Sequence, residues 1–402
     1  MAKKDSNFKT SFPQIPKRMT FSRLKREGIL AFDQDNVYPQ RTELIIKGSA
    51  TGKSVHKLYR QHISGEGFRD ENLGSLVVNE KGQTWNEILK KIAKDKAYHN
   101  GFALHFNMDV SGTIQEITHV PFKYVRLPDD EHPMPMGRFA VYEDWEQRKW
   151  KSYQQKKVAW IFPFDPDPVA IAEQIEKSGP DPKKPGTIDD WKGQLYYWTS
   201  EDGGYPESPF DCSALDLETD QEIALFRNST VLTSFLATYV AKFKNKFETE
   251  QESEEMDEEL LKVQGGRHAG KVVKIEGTGE DDNAVTFEKL ETIDHDGLFD
   301  QTEKSTQDNI RRSVLAPREL TGEEFASGFD SNRINDQRRF FNSITRDERE
   351  DTSEEVEKIM DHFHTPHTGD KSIIPLYEDE LEEVTQEDDT ATKTKTDDGT
   401  TD

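Results

Sequence analysis

Apolar residues recur along this chain with two different periods, and the switches between them predict its layout. Trp85, Ile88, Leu89 and Ile92 share one face of a helix predicted over Trp85–Tyr98. Phe102, Leu104 and Phe106 then alternate, Ile114, Ile117 and Val120 mark a return, and Asn107–Gly112 supplies a turn. The pattern predicts a hairpin within Gly101–Leu127. Upstream, Ser54–His62 has helical character and ends at Gly65-Glu-Gly67. Further short strands are predicted at Arg138–Tyr142, Val158–Phe162 and Leu195–Trp198, separated by Pro- and Lys-rich segments such as Pro180–Pro185. These elements describe a mixed α/β unit with an antiparallel sheet.

The longest apolar stripe lies further on. Leu232, Phe235, Leu236, Tyr239, Val240, Phe243 and Phe247 are spaced as on one helical face, which predicts an amphipathic helix over Asp216–Phe247. Glu248–Glu259 carries eight carboxylates and no base, and reads as a solvated loop or helix start. Two strands, Lys271–Ile275 and Ala284–Leu290, flank a bend at Gly277–Asp282. A mostly polar helix follows at about Asp296–Leu315. Its large apolar residues are Leu298, Phe299, Ile310, Val314 and Leu315, and only Phe299, Ile310 and Val314 lie near one line. A proline disfavours helix at the residue before it, so this helix is expected to stop at Ala316-Pro317. So sparse an apolar face cannot hold a helix in a monomer's core. It makes more sense lining something, with neighbours supplied by other subunits. A charged, Gly-containing loop comes next, then a long helix over Asn332–Phe363, with Arg346–Asp351 the place where it would break.

Composition points the same way. Of 402 residues, 33% are hydrophobic, and counting the 25 glycines raises this to about 39%, below the roughly 45–50% of ordinary globular domains. The length suggests two or three structural units. The net charge of −25 argues against a protein that grips DNA tightly, because such proteins neutralise phosphates with Lys and Arg. An acidic channel wall would instead let a duplex slide, and solubility alone accounts for the charge equally well. Cys212 is the single cysteine, so an intrachain disulfide and a cysteine metal cluster are excluded, and assembly in a reducing compartment is expected. No apolar segment follows Lys3-Lys4 as in a signal peptide, and no apolar run is long enough to span a membrane. Residues 1–26 hold eight Lys and Arg against one Asp, with Pro13 and Pro16 opposing helix. They read as an extended arm suited to an acidic partner surface. Beyond His364 the chain is acidic and Thr-rich. Residues 376–402 hold eleven Asp and Glu against two Lys, which predicts disorder.

Candidate chemistry is sparse. Gly48-Ser-Ala-Thr-Gly52-Lys53-Ser54 approaches a phosphate-binding loop, but that motif needs four residues between its glycines and here there are three. A helix N-terminus capped by a small polar residue is the plainer reading. His362, His364 and His367 cluster near the tail, without a standard metal-ligand spacing on a helix. No nucleophile elbow is present, and carboxylates are too numerous for an acid–base pair to be singled out. Neither catalysis, a cofactor nor a metal is expected.

The order of these motifs resembles the portal proteins of tailed bacteriophages over roughly residues 35–363. Asn36-x-Tyr38-Pro39 and Gly65-Glu-Gly67-Phe68 are similar to the beginning of the portal wing. Tyr98–His105 and Ile117–Arg126 are similar to the wing hairpin, and Gly204-Tyr205-Pro206 precedes the first stem helix. Thr306–Gly322 is similar to the second stem helix and its exit. The resemblance implies an α+β portal-like fold. Its divisions would be a basic arm (1–34), an α/β wing (35–215), a first stem helix (216–247), a clip (248–294) and a second stem helix (295–316). A tunnel loop (317–331), a long wing helix (332–364) and a disordered acidic tail (365–402) would complete it. The tail is too short and too polar for the helical crown of larger portals.

The resemblance further implies a non-enzymatic homo-oligomeric ring, twelve copies at one capsid vertex, as a channel for genome packaging and ejection. Expected partners are the major capsid protein, the large terminase, then a head–tail connector, and double-stranded DNA passing without sequence specificity. The location would be the virion, after assembly in the host cytoplasm. Arg318, Glu319, Thr321, Gly322, Glu323, Glu324, Ser327, Gly328, Asp330 and Ser331 are the expected tunnel-loop residues, with Gly322 and Gly328 letting it bend. Lys271, Lys274, Glu276, Glu280, Asp281 and Asp282 are the expected clip residues. The alternatives are a nucleotide-binding enzyme using Gly48–Ser54 and a non-portal virion adaptor.

Overall fold

A computed structural model describes residues 21–24, 28–129, 137–145, 157–179, 184–201, 204–232, 239–243, 272–276, 285–289, 295–322 and 331–378. In chain order the elements are β1 (Phe21–Leu24), β2 (Ile29–Phe32), α1 (Tyr38–Gly48), α2 (Ala50–Ser64), β3 (Gly67–Phe68), α3 (Glu71–Ser75), α4 (Trp85–His99), β4 (Gly101–Met108), β5 (Ile114–Val120), β6 (Val125–Arg126), β7 (Phe139–Val141), β8 (Ala159–Pro163), α5 (Pro168–Lys177) and β9 (Gln194–Thr199). These are followed by α6 (Ala214–Leu232), β10 (Tyr239–Phe243), β11 (Val272–Glu276), β12 (Val285–Lys289), α7 (His295–Arg312), α8 (Ser331–Ile344), α9 (Arg346–Met360) and β13 (Ile373–Ile374). The mixed helix-and-sheet class is the expected one. The chain forms two units. One comprises Met1–Glu43, Tyr59–Asp211 and Arg338–Asp402, and the other Leu44–Leu58 and Cys212–Gln337.

The first unit is built on a six-stranded sheet in the order β5-β4-β9-β8-β7-β6, antiparallel except between β8 and β9. The predicted hairpin is its β4–β5 pair, with Phe106 opposite Ile117. Phe102, Leu104 and Phe106 pack on one face against Trp85, Ile88, Leu89 and Ile92 of α4. Ala103 turns to the other face, which is also covered, by Val125, Phe139, Ile161 and Leu195. Helix α4 begins where Thr84 and Glu87 form a capping box and ends at Asn100 in the left-handed region (φ 58°).

Helix α9 completes this core with Val356, Ile359 and Met360, and the Trp85 indole N–H points at Met360 Sδ at 3.1 Å. The long helix predicted over Asn332–Phe363 is divided at Thr345, just before the charged run where a break was expected. Arg349 takes up the acceptors there, donating to Asn342 O (2.7 Å), Thr345 Oγ1 (2.7 Å) and His62 O (2.9 Å).

Two end segments differ from expectation. Part of the presumed arm, Phe21–Leu24, pairs antiparallel with Ile29–Phe32, and residues 1–20 lie outside the described residues. The tail predicted as disordered from 365 is placed as far as 378. Ile373 and Ile374 pair with Phe68 and Gly67, and Arg69 N donates to Ser372 O at 2.8 Å. Two adjacent isoleucines give this stretch a core contact, Ile373 being 5% exposed, that an average over an acidic tail conceals. Residues 379–402 lie outside the described residues.

The second unit contains an antiparallel pair of helices and a three-stranded sheet. On α6 and α7, Asp216 meets Asn309 (3.2 Å), Phe226 meets Phe299 (ring centroids 5.0 Å apart) and Arg227 meets Glu303 through two bonds of 2.8 and 2.5 Å. The helix predicted to run to Phe247 is described over Ala214–Leu232, and a strand stands at Tyr239–Phe243. Tyr239–Phe243 becomes the central strand β10, parallel to β11 and antiparallel to β12, so the predicted two-stranded insertion has three strands. The run Tyr-Val-Ala-Lys-Phe satisfies a helical stripe and a strand alternation alike, and long-range pairing with two neighbours decides between them.

Candidate functional site

The nucleotide-loop alternative is tested by the donors at 48–54, and they are occupied. Glu43–Ile46, where such a loop would need a strand, lies within helix α1. Ser49 caps α2: its Oγ accepts from Gly52 N (2.8 Å) and its carbonyl from Lys53 N (3.0 Å). The buried Asp220 carboxylate accepts from Ser49 Oγ (2.6 Å) and Thr51 N (3.3 Å), occupying with a protein anion the place a phosphate would take. The glycines answer to packing. A Cβ on Gly52 would lie 2.3 Å from Leu217 Cδ2, and one on Gly48 2.2 Å from Gln221 Oε1.

The exit of α7 is more organised than the sequence suggested. The helix ends at Arg312, four residues before Ala316-Pro317. Ala316 N donates to Arg311 O (2.9 Å) and Leu315 N to Arg312 O (3.3 Å), around Leu315 in the left-handed region (φ 53°). This is the paired closure of a Schellman motif, with leucine where glycine is usual and Pro317 just beyond. Thr306, Ile310 and Val314 form the buried line of the helix, while Asp300, Gln301, Thr302, Lys304, Ser305 and Arg312 are exposed.

Beyond that exit, the described residues Arg318, Glu319 and Thr321 of the expected tunnel loop are each held by a neighbouring side chain. Asp308 binds both Arg311 (3.3 Å) and Arg318. Arg311 Nε donates to Thr321 Oγ1 at 2.9 Å. Glu319, on the 3-10 turn Glu319–Thr321, accepts from Arg333 on the first turn of α8 at 2.9 Å. Both flanks of the loop are thereby tied at its base. Gly322 follows in the left-handed region (φ 97°), with nothing within 4 Å of a would-be Cβ. Glu323, Glu324, Ser327, Gly328 and Asp330 lie outside the described residues, and Ser331 begins α8. Sequence reading missed Asp308, Arg311 and Arg333. The three-residue offset from Asp308 to Arg311 on a helix was the available signal.

Among the expected clip residues, Lys274 and Glu276 sit on β11, opposite Ala241 and Phe243 of β10. Lys271, Glu280, Asp281 and Asp282 lie outside the described residues. The three histidines are separately engaged: His367 Nε2 lies 2.9 Å from Asp70, His364 Nδ1 3.4 Å from Ile114 O, and His362 packs against Phe164. Among the described residues no group of three or more possible ligands could hold a metal, and no helix is long and apolar enough to cross a membrane.

The motifs at 36–39, 117–126 and 204–206 converge in the first unit. Arg126 is fully buried and donates to Asn36 Oδ1, Asn36 O, Val125 O and Lys123 O. Tyr38 donates to Asp211 (2.7 Å) and accepts from Ser208 N (3.0 Å). Tyr205 donates to Leu30 O and accepts from Leu127 N, both at 2.7 Å, while its ring stacks on Phe32 at 3.9 Å.

No family profile matches the chain, and no curated protein matches it by sequence. Solved structures do. A chain from the neck of the native gene transfer agent particle, computed with C12 symmetry, aligns at a TM-score of 0.54 and 13% identity, over 92% of this chain and 91% of that one. A chain from the virion of the native gene transfer agent particle aligns at 0.53 and 11%, over 91% and 92%. A crystal structure of an HK97-family phage portal protein from Corynebacterium diphtheriae aligns at 0.39 and 11%, over 74% and 85%. The chain shares its fold with the virion and neck chains of this particle. The resemblance read from the sequence agrees with these fold matches to virion and neck chains.

Proposed function

We propose that the protein is a portal: a non-enzymatic ring at one capsid vertex through which DNA is packaged and ejected. The observation that carries this reading is the second unit. An antiparallel helix pair is interrupted in sequence by a small sheet, within a fold shared along nearly its whole length with a virion neck chain. In this reading α6 and α7 are the stem, β10–β12 the clip, residues 317–331 the tunnel loop and the first unit the wing. The exposed polar side of α7 lines the channel. The clip docks the large terminase and then the connector, and the wing meets the major capsid protein. Twelve copies accord with the C12 symmetry of the gene transfer agent neck, and ring closure needs a head-to-tail interface.

Single-particle imaging of the purified protein tests this. Rings with a central channel of duplex width are expected, and a chain that stays monomeric at all concentrations overturns the proposal. Deleting residues 323–329 is expected to spare ring assembly and impair DNA packaging or retention. Normal packaging by that variant would show the tunnel loop to be misassigned.

A further inference from the structure

Helix α4 carries a row of cations that its own fold leaves unneutralised. Lys90, Lys91 and Lys94 fall within about 100° of arc, and Lys90 and Lys94 stand about 6 Å apart along the axis. Lys90 and Lys94 are exposed, and Lys91 is half-buried. Arg60 of α2, also half-buried, extends the row: its charge acts on the Tyr98 hydroxyl, one turn beyond Lys94. Lys90, Lys91, Lys94 and Arg60 form no ion pair or side-chain hydrogen bond among the described residues.

The carboxylates of the helix are spent elsewhere. Glu87 stands three and four residues before Lys90 and Lys91, the spacing of a helical ion pair. Its carboxylate instead accepts from Thr84 N (3.4 Å) in the capping box. Asp95, beside Lys94, is 4% exposed and accepts from Phe122 N (2.9 Å), with His119 Nε2 at 2.8 Å. Lys96 on the same helix shows the contrast: its Nζ lies 2.8 Å from the Glu348 carboxylate and donates to Glu348 O at 2.9 Å. Surface cations elsewhere in the first unit also hold carboxylates, Arg41 with Asp33, Lys177 with Glu173 and Arg346 with Glu350.

An unneutralised basic row in a chain of net charge −25 fits an acidic partner, and a second copy is such a partner. Copies of that charge repel one another, so their assembly needs contacts where opposite charges meet. A head-to-tail interface, which joins unlike surfaces, supplies such contacts. A duplex is the poorer occupant, because so few cations neutralise too few phosphates to overcome repulsion by the remaining carboxylates. We infer that the Lys90, Lys91 and Lys94 row, continued by Arg60, is the basic half of the contact between neighbouring copies and receives an acidic surface of the next copy. The inference rests on the ring proposed above. Contacts between exposed charges weaken with salt.

Sedimentation velocity and imaging of the full-length protein test this, with K90E, K91E and K94E combined in one variant. That variant should keep the parent's denaturation midpoint and need at least about tenfold more protein to form rings. K157E, K184E and K192E combined make the same charge change at exposed positions outside the row, and should assemble as the parent does. K90Q, K91Q and K94Q combined should show a smaller loss of the same sign, and they decide the matter if the reversed variant unfolds. Row variants whose rings match those of the control overturn the basic contact and leave the portal reading standing. Row variants that assemble normally but lose binding to a short DNA duplex also overturn it, and assign the row to nucleic acid. A parent that forms no rings at any concentration overturns both readings.

Discussion

Arg126 and Asn36 are joined twice, Arg126 Nε donating to Asn36 Oδ1 and a terminal guanidinium nitrogen to Asn36 O, each at 2.6 Å. Asn36 takes the left-handed conformation (φ 61°) just ahead of α1, and the Arg126 side chain is wholly buried. Its hydrogen-bond acceptors are carbonyls and amides, and no carboxylate pairs with it among the described residues. Burial pushes its pKa down to about 10, which still leaves it charged at neutral pH. Rings of Phe32 and Trp145 lie over the guanidinium at 5.7 and 5.0 Å. This pair fixes the start of α1 to the β6 edge of the six-stranded sheet.

Arg126→Ala strands several buried acceptors at once and opens a cavity. It is expected to cost about 3–5 kcal/mol in chemical denaturation of the first unit. Arg126→Lys keeps the charge but not the fork of donors, and should recover only part of that loss. A cost below about 1 kcal/mol for Arg126→Ala would show that Asn36 is held by other contacts.

Asp220 is expected to act as a cap partner and not as a phosphate mimic to be displaced. Asp220→Ala should lower stability by about 1–3 kcal/mol, because Ser49 Oγ and Thr51 N lose their acceptor. Lys53→Ala should be nearly neutral. Titration calorimetry with ATP should give no heat of binding for either variant or for the parent. ATP binding abolished by Lys53→Ala would restore the nucleotide reading.

Leu315 occupies a left-handed position at the exit of α7 while 54% exposed. A non-glycine residue there costs roughly 1–2 kcal/mol. Leu315→Gly should therefore be neutral or stabilising by up to about 1 kcal/mol, and the β-branched Leu315→Val destabilising by about 1 kcal/mol or more. Thermal melts of the two variants check the order. If Leu315→Gly proves the less stable, the leucine side chain contributes contacts that outweigh its backbone strain.

Alkali is expected to weaken the first unit through its tyrosines. Burial raises Tyr38, Tyr59, Tyr197 and Tyr205 well above the ordinary phenol value, and burial followed by the neighbouring Glu43 carboxylate pushes Tyr98 up to about 12. Above pH 10 the unfolded chain loses phenolic protons that the folded chain keeps, so the unfolded state binds fewer protons and stability falls as pH rises. Denaturation midpoints should be flat below pH 10 and decline from 10 to 12. The part of the phenolate absorbance that Tyr38→Phe, Tyr59→Phe, Tyr98→Phe, Tyr197→Phe and Tyr205→Phe remove should appear late and together with unfolding. Early appearance of that part without unfolding would contradict the burial.

Much of the first unit was legible because its signals are local. The i, i+3, i+4 spacing on α4 and the alternation in β4–β5 report which side of each element faces the core, and both hold in the structure. Thr84, Glu87 and Asn100 bound α4 through bonds between near neighbours in sequence. The second unit was legible in order but not in detail. Tyr239–Phe243 fits two periods, and only partners some thirty to fifty residues away, β11 and β12, choose the strand.

The loop residues teach the same lesson at finer scale. The portal resemblance implied that Arg318, Glu319 and Thr321 belong to a loop facing DNA. Their engagement with Asp308, Arg333 and Arg311 depends on where the chain turns after Leu315. By itself the sequence determined the element types with strong local periodicity, the absence of a complete phosphate-loop spacing, and the motif order that resembles a portal. Tertiary structure decided the strand at 239–243, the tie of residues 365–378 onto β3, the burial of Arg126 among neutral acceptors, and the capture of the Ser49 and Thr51 donors by Asp220. Each of these depends on groups distant in sequence brought into hydrogen-bond range. Local propensity fixes a backbone's preference over a few residues, but which distant partner satisfies a buried polar group is set only when the chain has packed.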